Sequence, residues 1–262
     1  MIAAVPLAAQ VAAPQATTVQ VAPAQQSAQP AAVQQPTEEP AKKAIKDHAE
    51  YGAYSSAVKI KEASARATAL EEFVLKYPRS VAAAQALREA LASWQEAGNK
   101  DQIVDVAKRL IVLEPANIRA MAIVVALDRA KAAQQDRLDA GLMNEICQFS
   151  SNGLNVLSSW QMPAGMTADQ FAAMRNSMSA IFNGGAGTCA LGQSDLAKAR
   201  ETLAQAVAID STDLQNLWQL AVADLESRPA DANGFWYCAR AIAIAKRAQN
   251  KPAADAATDY CN

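Results

Sequence analysis

The segment Ser194–Ser211, SDLAKARETLAQAVAIDS, decides the fold. Its apolar residues Leu196, Ala199, Leu203, Ala206 and Val207 recur mostly at steps of three and four, which puts them on one helical face. Ser194 or Asp195 supplies an N-cap. The small Ala199 and Ala206 let a neighbouring helix axis come close, and Leu203 fills the adjoining hole. One amphipathic helix cannot bury such a face alone, so the segment predicts an all-α stack.

The flanks continue the pattern. Upstream, Ala168–Leu191 reads as a helix that carries NGGAGTCA at 183–190. There is no G-x-x-x-x-G-K-[ST] and no preceding strand, so the glycines read as close-packing positions and not as a phosphate loop. Downstream, Asp213–Ser227 carries Leu217, Trp218, Leu220 and Ala221. Asn233–Ala248, NGFWYCARAIAIAKRA, is the last long helix, and Pro252 starts a short one over Ala253–Tyr260.

Towards the N-terminus, Ala41–Ala63 reads as a helix with Ile45, Tyr51, Tyr54 and Val58 inward. Ala65–Tyr77 is a second helix, stopped by Pro78. Val81–Gly98 and Lys100–Leu113 form the next pair, broken at Gly98-Asn99. Ile118–Gln134 and Asp136–Leu157 form a third. Ser158–Thr167, SSWQMPAGMT, is a loop whose Trp160, Met162 and Met166 either make a mobile flap or tuck against the stack. His48, the single histidine, reads as a solvated helix residue.

These segments resemble the tetratricopeptide repeat (TPR), a 34-residue helix–turn–helix unit. With Ala206 at repeat position 27, Ala199 takes 20, Leu203 takes 24, Leu196 takes 17 and Gly187 takes 8. Ser211 stands where Pro is usual, and Asn183 where a large apolar residue is usual. LEEFVLKYPRS at 70–80 and VLEPAN at 112–117 resemble the family's repeat endings, the first as found in bacterial envelope proteins. Arg66 replaces the small residue at position 20, which predicts looser packing there. The resemblance implies a right-handed TPR-like superhelical solenoid of antiparallel helix pairs over residues 41–262.

Residues 1–40 differ. Met1–Thr37 has no charged residue and holds five of the eleven prolines. Such composition cannot bury enough surface to offset its ordering entropy, so it reads as a disordered Ala/Gln/Pro-rich linker. Met1–Gln10, MIAAVPLAAQ, resembles the apolar region and Ala-rich cleavage site of a secretory signal, without a basic start. The expectation is that this stretch is the remnant of a signal peptide and that the protein is periplasmic or envelope-associated; a cytoplasmic location stays open.

Charge and composition set limits. The net charge of −2 gives no basic footprint for nucleic acid. No stretch of eighteen apolar residues predicts a membrane span. Alanine makes up about a quarter of the chain, which fits closely packed helices. The four cysteines, Cys147, Cys189, Cys238 and Cys261, contain no C-x-x-C pair, so no zinc set is expected. Cys238 and Cys261 stand at similar distances either side of the Lys251-Pro252 turn. In antiparallel helices they would form a disulfide in an oxidising compartment; four separate core thiols is the other reading.

No nucleophile–base–orienter set, H-E-x-x-H or dinucleotide fingerprint is present, and neither enzyme activity nor a cofactor is expected. Stacked repeats create an extended binding surface. The TPR resemblance implies that Gln85, Arg88, Gln95, Arg119, Arg129, Gln215 and Trp218 line a groove for a protein or peptide partner, the arginines meeting carboxylates. The role that follows is a non-catalytic interaction scaffold. The alternatives are a structural subunit of a larger envelope complex, or an enzyme with a carboxylate-based site.

Overall fold

Helix starts in this chain are set by side chains that accept from free backbone N–H groups. The computed structural model describes residues 45–135 and 139–262, with eleven helices and no strand among them. Asp47, Asn99, Asp139, Asp195, Asp213 and Asn250 each accept from a backbone N–H three residues on. Thr167 and Gln170 form a reciprocal capping box. The described residues fall into two units, 45–117 and 118–262. The reading of residues 1–40 as a linker lies outside the described residues.

The first unit holds α1 (His48–Val58), α2 (Ala63–Lys76), α3 (Ala83–Ala97) and α4 (Lys100–Leu113). The single helix expected over Ala41–Ala63 is shorter. It ends at Val58, because Glu62 leaves the helix to accept from Ser64 N at 3.0 Å and Ala65 N at 2.6 Å, capping α2. Gly98 ends α3 with φ of 74°, a left-handed conformation that glycine adopts without a Cβ penalty. Leu70, Leu87, Val106 and Leu110 form the core with the small Ala67, Ala86, Ala90 and Ala107 between them. Arg66 does not loosen its surroundings. Its Nε donates to Ser93 Oγ at 2.8 Å, its Nη1 to the carbonyls of Ile60 and Lys61, and its Nη2 to Glu96. Glu71 ties three helices, accepting from Trp94 Nε1 at 2.6 Å and pairing with Arg109.

The second unit holds α5 (Ile118–Ala132), α6 (Ala140–Ser158), α7 (Ala168–Gly192), α8 (Leu196–Ile209), α9 (Leu214–Glu226), α10 (Asn233–Arg247) and α11 (Lys251–Cys261). In α8 Ala199, Leu203, Ala206 and Val207 are buried, and they pack with Leu217, Leu220 and Ala241 from α9 and α10. Asp195, not Ser194, caps this helix; Ser194 takes the left-handed turn position at φ 59°. The loop after α6 tucks in: Trp160 packs on Phe171 with ring centroids 5.1 Å apart.

Helix α7 packs against α5, α6, α8 and α9, and its glycines make this possible. A Cβ built at Gly187 would overlap Leu203 of α8. One at Gly185 would overlap Ser150 of α6 and Val125 of α5, and one at Gly184 would overlap Asn216 and Arg129. On α6, Gly153 opens the space that the Phe182 ring occupies. Close-packed interiors do not absorb an extra methyl group freely.

Two glycine substitutions should therefore act in opposite directions. Gly52, in α1, has nothing near its missing Cβ. Gly52→Ala should raise stability by about 1 kcal/mol, through helix propensity alone. Gly187→Ala should lower it by about 1–2 kcal/mol, because the overlap with Leu203 outweighs the same propensity gain. Urea denaturation followed by circular dichroism reads both; a stabilised Gly187→Ala would show that the helices are not packed this closely.

Candidate partner-binding surface

Polar side chains on α3 are joined into one hydrogen-bonded ladder. Gln85, Arg88 and Glu89 lie at i, i+3 and i+4, so they share a face. Arg88 donates from Nη2 to Gln85 Oε1 at 2.7 Å and pairs through Nη1 with Glu114 after α4. Asn117 donates to the other Glu114 oxygen at 2.8 Å. Gln85 Nε2 donates to Glu89 Oε1 at 2.8 Å, and Tyr54 OH of α1 donates to the same oxygen at 2.8 Å. Burial, then the hydrogen bond and charge of Glu89, push the Tyr54 phenol well above its ordinary range, so it stays a donor. Glu89 Oε2 is buried and has no hydrogen-bond partner among the described residues.

The ladder runs from Asn117 through α3 to Tyr54 and alternates donors with acceptors. Arg88 is its exposed member, half-covered Gln85 fixes the guanidinium, and Glu89 keeps one acceptor unused. Such a surface can hydrogen-bond a polar peptide. Tyr54, Glu89, Glu114 and Asn117 were not among the residues expected to bind. The available signal was the Gln85–Glu89 spacing at i, i+4, which marks a same-face pair.

Gln95 is exposed at the far end of α3. Arg119 is exposed on α5, where its Nη2 lies 3.3 Å from Met174 Sδ. Of the remaining expected groove residues, Arg129 and Trp218 lie inside the second unit and Gln215 is partly buried. Trp218 is only 3% exposed and meets the Tyr260 ring edge-on, with centroids 5.0 Å apart. Arg129 is 4% exposed. Its Nε donates to Thr188 Oγ1 at 3.0 Å, and its Nη2 to Asn216 Oδ1 at 2.7 Å and Gln219 Oε1 at 3.2 Å. Thr188 in turn donates to Gln219 Oε1 at 2.8 Å, and Gln215 Nε2 lies 3.5 Å from the Arg129 carbonyl. Burial lowers the Arg129 pKa and the charge of Asp213 opposes that shift. Arg129 and Trp218 are thus core residues and not an open groove. The reason is Gly184, whose missing side chain leaves the space that the guanidinium fills.

All four cysteines are paired. Cys238 of α10 joins Cys261 of α11, with Cα atoms 6.3 Å apart, and Cys147 of α6 joins Cys189 of α7, with Cα atoms 5.2 Å apart. The second pair was not expected: 42 residues and a loop separate the two thiols, and only the antiparallel register of α6 and α7 brings them together.

A shallow cleft of about 510 Å³ lies where the start of α1 meets the turn between α2 and α3, lined by Ile45, Lys46, Glu50, Tyr77 and Val81 among others. Among the described residues no group of three or more His, Cys, Asp or Glu side chains gathers to hold a metal, and no helix is long and apolar enough to cross a membrane.

No family model matches this chain, and no curated protein matches it. Among solved structures it is similar to the MamA protein and to the MamA RS-1 ArsTM double mutant, at 11% identity and a TM-score of 0.43 in each case. Both alignments cover 78% of this chain, with 93% of the MamA protein and 96% of the double mutant. The functional reading therefore rests on this chain's own residues.

Arg129→Ala should lower stability by about 3 kcal/mol or more, since it empties a packed site and removes three buried hydrogen bonds, leaving Asn216 Oδ1 without its guanidinium donor. Denaturant titration measures this; an unchanged midpoint would mean that the guanidinium is not held in the core. Peptide mapping without reductant, on protein from its native host, should recover both Cys147–Cys189 and Cys238–Cys261. In the chain-entropy description each contributes about 3–4 kcal/mol, so adding reductant should shift unfolding to lower urea.

Proposed function

We propose that this protein is a non-catalytic, TPR-like interaction scaffold whose α3 face takes a polar peptide segment of a protein partner. The observation that carries this reading is the ladder from Asn117 to Tyr54, with Arg88 exposed. A surface whose side chains are already held by one another loses little rotamer entropy on binding. Pairing of all four cysteines supports an oxidising compartment, such as the periplasm.

A second reading is a subunit held permanently in a larger envelope complex. What favours it is the exposure of Leu75 and Val112, at 72% and 78%, with Val81, towards the same end of the first unit.

The test is purification of the tagged full chain from its native host, beside Arg88→Ala and Glu89→Ala variants, with quantitative mass spectrometry. A stoichiometric partner kept by the unchanged chain and reduced about tenfold or more by either variant supports the α3 face. A partner kept equally by all three moves the contact elsewhere and favours the structural-subunit reading. No partner with any of them sinks the scaffold reading.

A further inference from the structure

Among the described residues, nothing covers one face of helix α10. Its inward residues are Gly234, Cys238, Ala241 and Ala245, which pack towards α9 and α11. Phe235, Trp236, Ala239, Ala243, Lys246 and Arg247 are exposed. Trp236, Arg240, Ala243 and Arg247 follow steps of four, three and four, as do Phe235, Ala239, Ile242 and Lys246, so two adjoining rows run along one side. The rows are aromatic at the start, small in the middle and basic at the end.

The aromatic end is unusual for this chain. Phe235 is 58% exposed and Trp236 is 54% exposed. Every other Phe and Trp among the described residues is buried or partly buried. Trp236 is also held in place. The Arg240 guanidinium carbon lies 4.6 Å from its ring centroid, and the Tyr237 ring meets it edge-on at 5.0 Å. Arg240 is itself anchored, donating from Nη2 to the Ser211 carbonyl at 2.8 Å. Behind the aromatics, a Cβ at Gly234 would overlap Leu225, so the start of α10 sits hard against α9. A pre-positioned aromatic on a rigid element has little freedom left to lose on binding.

We propose that this face of α10 docks an amphipathic helix of a partner protein, with apolar side chains against Phe235 and Trp236 and carboxylates against Lys246 and Arg247. From Phe235 to Arg247 the face spans twelve helical steps, about 18 Å, which matches a partner helix of about three turns. Ala239 and Ala243 let the two axes approach. Among the described residues neither Lys246 nor Arg247 forms an ion pair, so a partner's carboxylates meet no internal competitor. The inference deepens the scaffold reading and rests on it, but uses a different surface.

The experiment selects binders to the full-length oxidised protein from a displayed library of random peptides about sixteen residues long. Enriched peptides are expected to carry aromatic or aliphatic residues at helical spacing at one end and Asp or Glu at the other. Trp236→Ala should weaken them about thirtyfold, the scale of an interface hot spot. Lys246→Glu with Arg247→Glu should do likewise, and should be rescued by peptides whose acids are changed to Lys. Both changes lie on the exposed face, so the circular dichroism and urea midpoint should not move. Selected peptides that ignore Trp236 but are lost in Arg88→Ala overturn the α10 surface and leave the scaffold reading standing. No selected peptide at all counts against both. Binding to phosphatidylglycerol-containing vesicles through Trp236, with no acidic peptides enriched, overturns the proposal in favour of a lipid surface.

Discussion

The second unit depends on the absence of side chains along one short run of α7. Gly184, Gly185 and Gly187 each face a different neighbour, and each neighbour occupies the volume a Cβ would need. Glycine weakens an isolated helix by about 1 kcal/mol per position, and three in four residues would be costly on propensity alone. Burial from several sides offsets that cost. Leu203 seats against Gly187, Ser150 and Val125 against Gly185, and Arg129 with Asn216 against Gly184. The run is thereby a socket for four helices, and its helicity follows from tertiary packing.

The same socket explains why a cation lies in the interior. An arginine without an ordered set of acceptors would not stay buried. Here Thr188, from the glycine run's own helix, and Asn216 and Gln219, one turn apart on α9, offer their oxygens where the guanidinium arrives. Asp213 caps α9 through Asn216 N and also supplies the charge that opposes loss of the proton from Arg129. One carboxylate therefore serves both a helix start and a buried cation. The Cys147–Cys189 bridge then fixes α6 to α7 near the socket, so the close approach that glycine permits is also held covalently.

Helical identity and inward faces were legible because they follow from period and capping. Leu203 and Ala206 in α8 and Leu87 and Leu110 in the first unit could be placed from spacing alone. Gly187 could be read as a packing position for the same reason. What was not legible was the far partner of each polar side chain. Arg129 has the same local spacing as an exposed groove residue, and only the three-dimensional meeting of α5, α7 and α9 turns it inward. Trp218 likewise needed α11 folded back, with Tyr260 against its ring, to become a core residue. Nothing local in the sequence points from Glu89 to its Tyr54 partner, which lies 35 residues away.

The surfaces left over differ in kind, and the difference bears on what they can recognise. On α3 the polar groups hold one another in place, so a partner there would be selected by matching hydrogen bonds at fixed positions. On α10 the groups are large, apolar and exposed at one end and cationic at the other, so a partner there would be recognised by shape and by the direction of charge. A helical stack also spends polar side chains on holding its helices together. In this chain Glu71, Arg66, Arg129 and Arg200 are all committed in that way.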